Sequence, residues 1–291
     1  MDEVIRARLR LWLRSEQAFG LHTLRVQSLD STEYETSELQ AVVEPQPQIT
    51  NAISKSTATI TLPQVTSSPA AREFLAAPFD HAFDSPVLTR PEKLRLLQEL
   101  DEQQVKGCTR CRRAETRAQT VFGEGDPDAQ IFFIGEGPGE REDLSGRPFV
   151  GPAGRKLDEM IGAMGLTRSQ VYIANIVKCR PPGNRAPAPD ETATCTTYLQ
   201  RQIEIVRPRV IVTLGLPATK YMTRSSLGIS RLRGTWQSYR GIKVMPTFHP
   251  SYILRVYTRE TRLAVWSDLQ KVMNELGLKP MKQAAASASS V

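Results

Sequence analysis

The sequence predicts an α/β fold in which a parallel sheet carries helices on both faces. Four short apolar runs rich in β-branched residues read as buried strands: QIFFIGE (130–136), VYIANIVK (171–178), VIVTLG (210–215) and KVMPTF (243–248). Helix-like segments lie between them, and strands alternating with helices build parallel sheets from crossover units. Two of the runs end in glycine-bearing loops, IGEGPGE and TLGLPA. Ligands of open α/β sheets bind at the carboxyl ends of strands, so these loops are where function is expected.

Taken in order, residues 3–17 place Ile5, Leu9, Trp12 and Leu13 at helical spacing, with Arg6, Arg10 and Arg14 on another face. A stretch rich in Ser, Thr, Gln and Pro follows, with few large apolar residues and no sustained period. Residues 1–90 therefore read as a largely disordered, low-complexity extension holding one short amphipathic helix. The folded domain is expected at 91–278. It opens on PEKLRLLQELDEQQ, with Pro91 at the first helical position and Leu94, Leu97 and Leu100 as its apolar residues. Further helices are expected at 153–165, 189–206, 217–223 and 258–276, one after each strand. The tail 279–291 ends in small and polar residues and reads as disordered.

Composition bounds the function. With 40% hydrophobic and 24% charged residues over 291, the chain has enough apolar material for a real core and is neither fibrous nor wholly disordered. It has no run of apolar residues long enough to span a bilayer. The expectation is a soluble, monomeric, cytoplasmic protein. Residues 1–90 carry 8 Lys and Arg against 11 Asp and Glu, a net of −3; residues 91–291 carry 30 against 20, a net of +10. The basic field belongs to the folded part and suits a polyanion such as nucleic acid.

Four cysteines, Cys108, Cys111, Cys179 and Cys195, form a Cys-x2-Cys knuckle and a distant Cys-x15-Cys pair. In an intracellular chain an even set of this kind favours a metal site over disulfides. Four thiolates suit either a tetrahedral zinc ion or an iron–sulfur cluster, and spacing does not separate the two.

Three strand-end segments carry the remaining chemistry. GEGPGEREDLSGRPFVGPAG (135–154) combines glycines, the carboxylates Glu136 and Glu142, and one aromatic, Phe149. It is neither a dinucleotide fingerprint nor a Walker A loop. NIVKCRPPGNR (175–185) places Asn175 at a strand end, where an amide can read the edge of a base. TFHPSYILR (247–255) holds His249, which alone of the three histidines sits at a strand end of the folded part.

Together the GEGPGEREDLSGRPFVG loop, the NIVKCRPP segment, the HPSxxLR segment and the cysteine spacing resemble family 4 uracil-DNA glycosylases, the iron–sulfur members of that superfamily. The resemblance covers roughly 95–275 and leaves the N-terminal extension outside it. It implies a three-layer α/β/α sandwich around a four-stranded parallel sheet, with a [4Fe–4S] cluster on Cys108, Cys111, Cys179 and Cys195. It also implies excision of uracil from single- or double-stranded DNA by hydrolysis of the N-glycosidic bond. Nucleoid association would follow from that substrate, and residues 1–90 would be free to engage a protein partner.

Residue by residue, the resemblance implies that Phe149 stacks on the flipped base and Asn175 bonds its N3/O4 edge. Backbone near Gly137 meets pyrimidine oxygens, and His249 stabilises charge on O2. Glu136 positions water, and Glu142 is a second carboxylate on the C5 side. Ser251 and Arg255 contact phosphate, while Leu254 or Ile253 wedges into the gap left by the base. The segment 179–191 lacks the histidine of covalently trapping relatives, so turnover is expected. A non-catalytic glycosylase-like DNA-binding module and a zinc-bearing phosphate-binding protein are the competing readings.

Overall fold

The computed structural model describes residues 83 and 85–279. The helix expected at 3–17, most of the 1–90 extension and the end of the tail lie outside the described residues. The elements are α1 (Arg90–Leu100), β1 (Glu124–Gly125), β2 (Ile131–Gly135), α2 (Glu140–Ser145), α3 (Pro152–Ala163) and β3 (Tyr172–Asn175). There follow α4 (Pro189–Val206), β4 (Val210–Leu214), α5 (Leu216–Thr223), α6 (Ile229–Leu232), β5 (Gln237–Tyr239), β6 (Ile242–Thr247), α7 (Pro250–Arg255) and α8 (Arg259–Leu276). No helix among the described residues is long and apolar enough to cross a membrane.

The sheet runs β1-β3-β2-β4-β6-β5. Its four central strands are parallel, in registers that include Phe133 opposite Ile173, Phe133 opposite Val212, and Leu214 opposite Thr247. These are the four strands expected from the apolar runs. The outer two, β1 and β5, pair antiparallel and are only two and three residues long. Segments so short show no period, which is why the sequence did not reveal them. The β5–β6 hairpin turns on Arg240 and Gly241, both at positive φ (48° and 82°). That is the primed turn that matches strand twist, here with Arg where Asn or Asp is usual.

Alternation along β2 divides the core. Phe132 and Ile134 face one cluster with Leu97, Leu199 and Ile203, so α1 and α4 cover that side. Ile131 and Phe133 face the other with Leu157, Ile161, Leu269 and Val272, so α3 and α8 cover the opposite side. A strand buried on both faces is apolar nearly throughout, as β2 and β4 are, and the one hydroxyl of β4, Thr213 Oγ1, is matched by Thr219 Oγ1 at 2.9 Å. Each fully buried aliphatic or aromatic side chain contributes about 1.5–3 kcal/mol. In α1, Leu97 and Leu100 are buried but Leu94 is half exposed, so the apolar face is narrower than its leucines suggest. Thr89 and Glu92 cap this helix, the Thr89 N–H donating to Glu92 Oε2 at 2.7 Å.

β2 is followed in sequence by β3 on one side, whereas β4 and β6 lie on its other side. The connections diverge there, and a crevice forms at the carboxyl ends of β2 and β4. All three strand-end motifs open onto it.

Candidate active site

A cleft of about 690 Å³ occupies that crevice. It is lined by Glu136, Gly137, Glu142 and Phe149 from the segment after β2, by Asn175 at the end of β3, and by His249, Ser251 and Arg255 after β6. Leu254, expected to wedge into DNA, lies outside the lining and is 42% exposed, whereas Ile253 is buried in the core. Of the two wedge candidates, the structure leaves only Leu254 accessible.

The segment after β2 is folded tightly. Glu142 points inward, and its Oε1 accepts the N–H groups of Val150 (2.8 Å) and Gly151 (2.9 Å). The carboxylate thus shapes the turn that carries Phe149. Phe149 itself is buried with φ of +53°, a conformation residues with a Cβ rarely adopt. Its ring lies 5.7 Å from the His249 ring, tilted by 33°. Gly135 makes this possible: a Cβ there would press into the Phe149 ring and Asn175 Oδ1. Glu136 is half-buried, and burial raises its carboxyl pKa above the usual value, opposed by the charge of Arg113.

Asn175 is buried, and its Oδ1 has no hydrogen-bond partner. A buried acceptor left open costs free energy unless a ligand fills it, so this oxygen marks a binding position. Lys178 Nζ holds the Asn175 backbone, donating to its carbonyl at 3.1 Å and to Gln202 Oε1 at 2.6 Å.

His249 caps α7, and its Nδ1 accepts the backbone N–H of Ser251 at 3.1 Å and meets Ser251 Oγ at 2.7 Å. A backbone N–H donates only, so Nδ1 carries no proton and Nε2–H is the free donor. Burial lowers the imidazole pKa to about 4; Arg255 acts in the same direction and Glu142 opposes it. At neutral pH the ring is a neutral hydrogen-bond donor. Gly215 allows its approach, since a Cβ there would stand 3.0 Å from that of His249.

The four cysteines line a second, small cavity, and no disulfide joins them. Donors surround the sulfurs: Arg117 Nη1 to Cys179 Sγ (3.2 Å), the Lys178 N–H to Cys195 Sγ (3.2 Å) and Tyr198 Oη to Cys108 Sγ (3.2 Å). Such donors stabilise thiolates bound to metal, so the residues fit a cysteine-ligated centre. Burial pushes the unligated Cys195 thiol up to about 12, against the Lys178 N–H and charge, so ligation there must displace a firmly held proton. The ladder of β3 ends at Asn175, short of the 171–178 run, so Cys179 lies in the loop beyond it.

The sequence profile of the Uracil DNA glycosylase superfamily matches residues 122–270. A type-4 uracil-DNA glycosylase of Thermotoga maritima is 48% identical over 179 residues, spanning 60% of this chain and 92% of the relative. A second, from Sulfurisphaera tokodaii, is 44% identical over 62% of this chain and 85% of its own. The chain belongs to the type-4 uracil-DNA glycosylases. By contrast, a type-5 uracil-DNA glycosylase of Pyrobaculum aerophilum is 30% identical and matched over 63% of its length.

Sequence reasoning missed the groups that hold this glycosylase site in place. Glu191, at the start of α4, has a fully buried side chain. It bonds Arg185 (2.6 and 2.8 Å), Arg113 (2.9 Å), Arg112 (2.9 Å) and the Ala188 N–H (2.8 Å). Arg113 also donates to the Cys179 carbonyl at 3.0 Å, and Arg185 lines the cleft. Asp268, fully buried in α8, holds Thr247 Oγ1 (2.7 Å) and Arg233 (2.6 and 3.1 Å) two residues before His249. A carboxylate three residues into a helix was the available signal for Glu191; nothing local marked Asp268.

Proposed function

We propose that the cleft receives a deoxyuridine flipped out of DNA and hydrolyses its N-glycosidic bond, releasing uracil and leaving an abasic site. The observation that carries this reading is the convergence of an aromatic face, an open buried amide oxygen and a neutral imidazole donor in one cleft. Phe149 stacks on the base. Asn175 Oδ1 accepts the uracil N3–H, and its amide N–H donates to O4; cytosine, with a bare N3 and a 4-amino group, mismatches both. Glu142 lies toward the C5 side, while Ser251 and Arg255 hold flanking phosphates and Leu254 fills the vacated stack.

In the reaction the C1′–N1 bond breaks with its electron pair going to the base, and the negative charge spreads to O2. His249 Nε2–H donates to that oxygen. A water held by Glu136 adds to C1′ of the cationic sugar and gives its proton to the carboxylate. The uracil anion then leaves and is protonated by solvent. The non-catalytic module has no observation in its favour.

Glu136 must be ionised to take a proton, so activity falls as pH drops through its raised pKa. The acid limb of kcat/KM is expected above the ordinary carboxylate value of 4.5 and belongs to Glu136, because His249 is already neutral there. Glu136→Gln lowers the rate by about 10²–10⁴-fold and abolishes the limb. A pH profile of excision from an oligonucleotide with one deoxyuridine tests both; a limb that survives in Glu136→Gln assigns it to another group.

Cys108, Cys111, Cys179 and Cys195 would hold a [4Fe–4S] cluster. Bound there, it supplies cross-linking and not a step of hydrolysis, joining the segment before β1 to α4 and the loop after β3. Brown protein containing iron and acid-labile sulfide in equal amounts supports this, whereas zinc without sulfide contradicts it.

A further inference from the structure

Phe149 is held in its left-handed conformation from both sides of its backbone. Downstream, Glu142 takes the N–H groups of Val150 and Gly151. On the carbonyl side, the agent is Arg168, in the single turn Arg168–Gln170 between α3 and β3 and outside the lining of the cleft. Its guanidinium donates to the Phe149 carbonyl at 3.2 Å and to the Pro148 carbonyl. The same group reaches Asp158 Oδ1 at 2.9 Å and Glu124 Oε1 at 2.5 Å. Glu124, on the edge strand β1, is gripped in turn by Arg147 at 2.8 and 3.0 Å. Gly154 packs so close that a Cβ there would collide with the Phe149 carbonyl.

A rarely adopted backbone conformation persists only where the surroundings impose it, and such positions cluster at ligand clamps. We propose that Arg168, backed by Glu124, is a positioning residue of the base pocket. It orients both peptide units around Phe149 so that the ring stands against the plane of the incoming base. The inference rests on the reading of Phe149 as the stacking residue. A planar fork bonding two successive carbonyls is a task for arginine that lysine performs only in part.

The test measures inhibition by free uracil together with KM and kcat for a deoxyuridine oligonucleotide, with melting curves, in Arg168→Gln, Arg168→Lys, Glu124→Gln and Phe149→Ala. Removing a contact made equally to ground and transition state raises KM and leaves kcat little changed. Arg168→Gln is expected to raise the uracil inhibition constant and KM by about tenfold, with kcat within about threefold of the parent. Arg168→Lys recovers part of the loss, and Glu124→Gln shows a smaller rise. If Arg168→Gln does not fold, the Lys and Glu124→Gln variants carry the test in the same direction. Uracil inhibition unchanged in the folded Arg168 and Glu124 variants but weakened in Phe149→Ala overturns the clamp. Inhibition unchanged in Phe149→Ala as well overturns the stacking reading on which the clamp depends.

Discussion

His249→Ala is expected to lower kcat for uracil excision by about 10²–10³-fold, the 2.7–4 kcal/mol that one preorganised oxyanion donor supplies. The ring has one free donor, because Nδ1 is engaged by the Ser251 backbone N–H. A neutral donor suits this reaction, since the charge on O2 forms only as the bond breaks and the donor needs no prior ionisation. With the imidazole pKa near 4, the ring stays neutral through the physiological range. Single-turnover kinetics on an oligonucleotide with one deoxyuridine check the prediction. KM should change little, since the interaction strengthens chiefly in the transition state. A loss confined to KM would reassign His249 to ground-state binding.

The second large effect concerns stability. Glu191→Ala leaves Arg113, whose side chain is 1% exposed, without its carboxylate. Breaking a buried ion pair from one side costs about 3–5 kcal/mol, against a total of roughly 5–15 for a domain. For a domain of this size, Tm should fall by about 6–20 °C, read by calorimetry or circular dichroism. The bonds from Arg185, then those from Arg113, the Ala188 N–H and Arg112, hold the Glu191 carboxyl far below the usual carboxylate range, against the opposing cost of burial. A depressed folded pKa stabilises above the unfolded value of 4.5 and loses that stabilisation as pH falls below it. The gap between parent and Glu191→Gln should therefore be full at neutral pH and shrink below 4.5. An equal gap at every pH would show that the network acts through packing alone.

The parallel strands were legible because both faces of the sheet are covered, so each strand is built around a short apolar run bounded by loops. The edge strands were not, because two or three residues cannot express a pattern. The cleft was legible as three motifs at strand ends, since parallel topology brings those ends together. What stayed hidden is the shell that holds them. Asp268 reads as an ordinary helix-surface acid until α8 packs beneath β6 and Thr247 bonds it. Arg168 reads as a turn residue, and only the fold carries it to the carbonyls of Pro148 and Phe149. Glu142 looked like a free acid in a loop, yet its oxygen is spent on two backbone N–H groups. These contacts join residues distant in sequence, and no local spacing encodes them.

The most direct test of the central claim uses the full-length, iron-loaded protein on three labelled oligonucleotides that differ at one position, deoxyuridine, deoxycytidine or thymidine, followed by alkali and a denaturing gel. The Phe149, Asn175 and His249 arrangement predicts an alkali-labile break at deoxyuridine with the deoxycytidine strand intact, and Glu142 on the C5 side predicts that thymidine, which differs only by its 5-methyl group, is spared as well. Intact deoxyuridine DNA, bound by the protein and not cleaved, would contradict it.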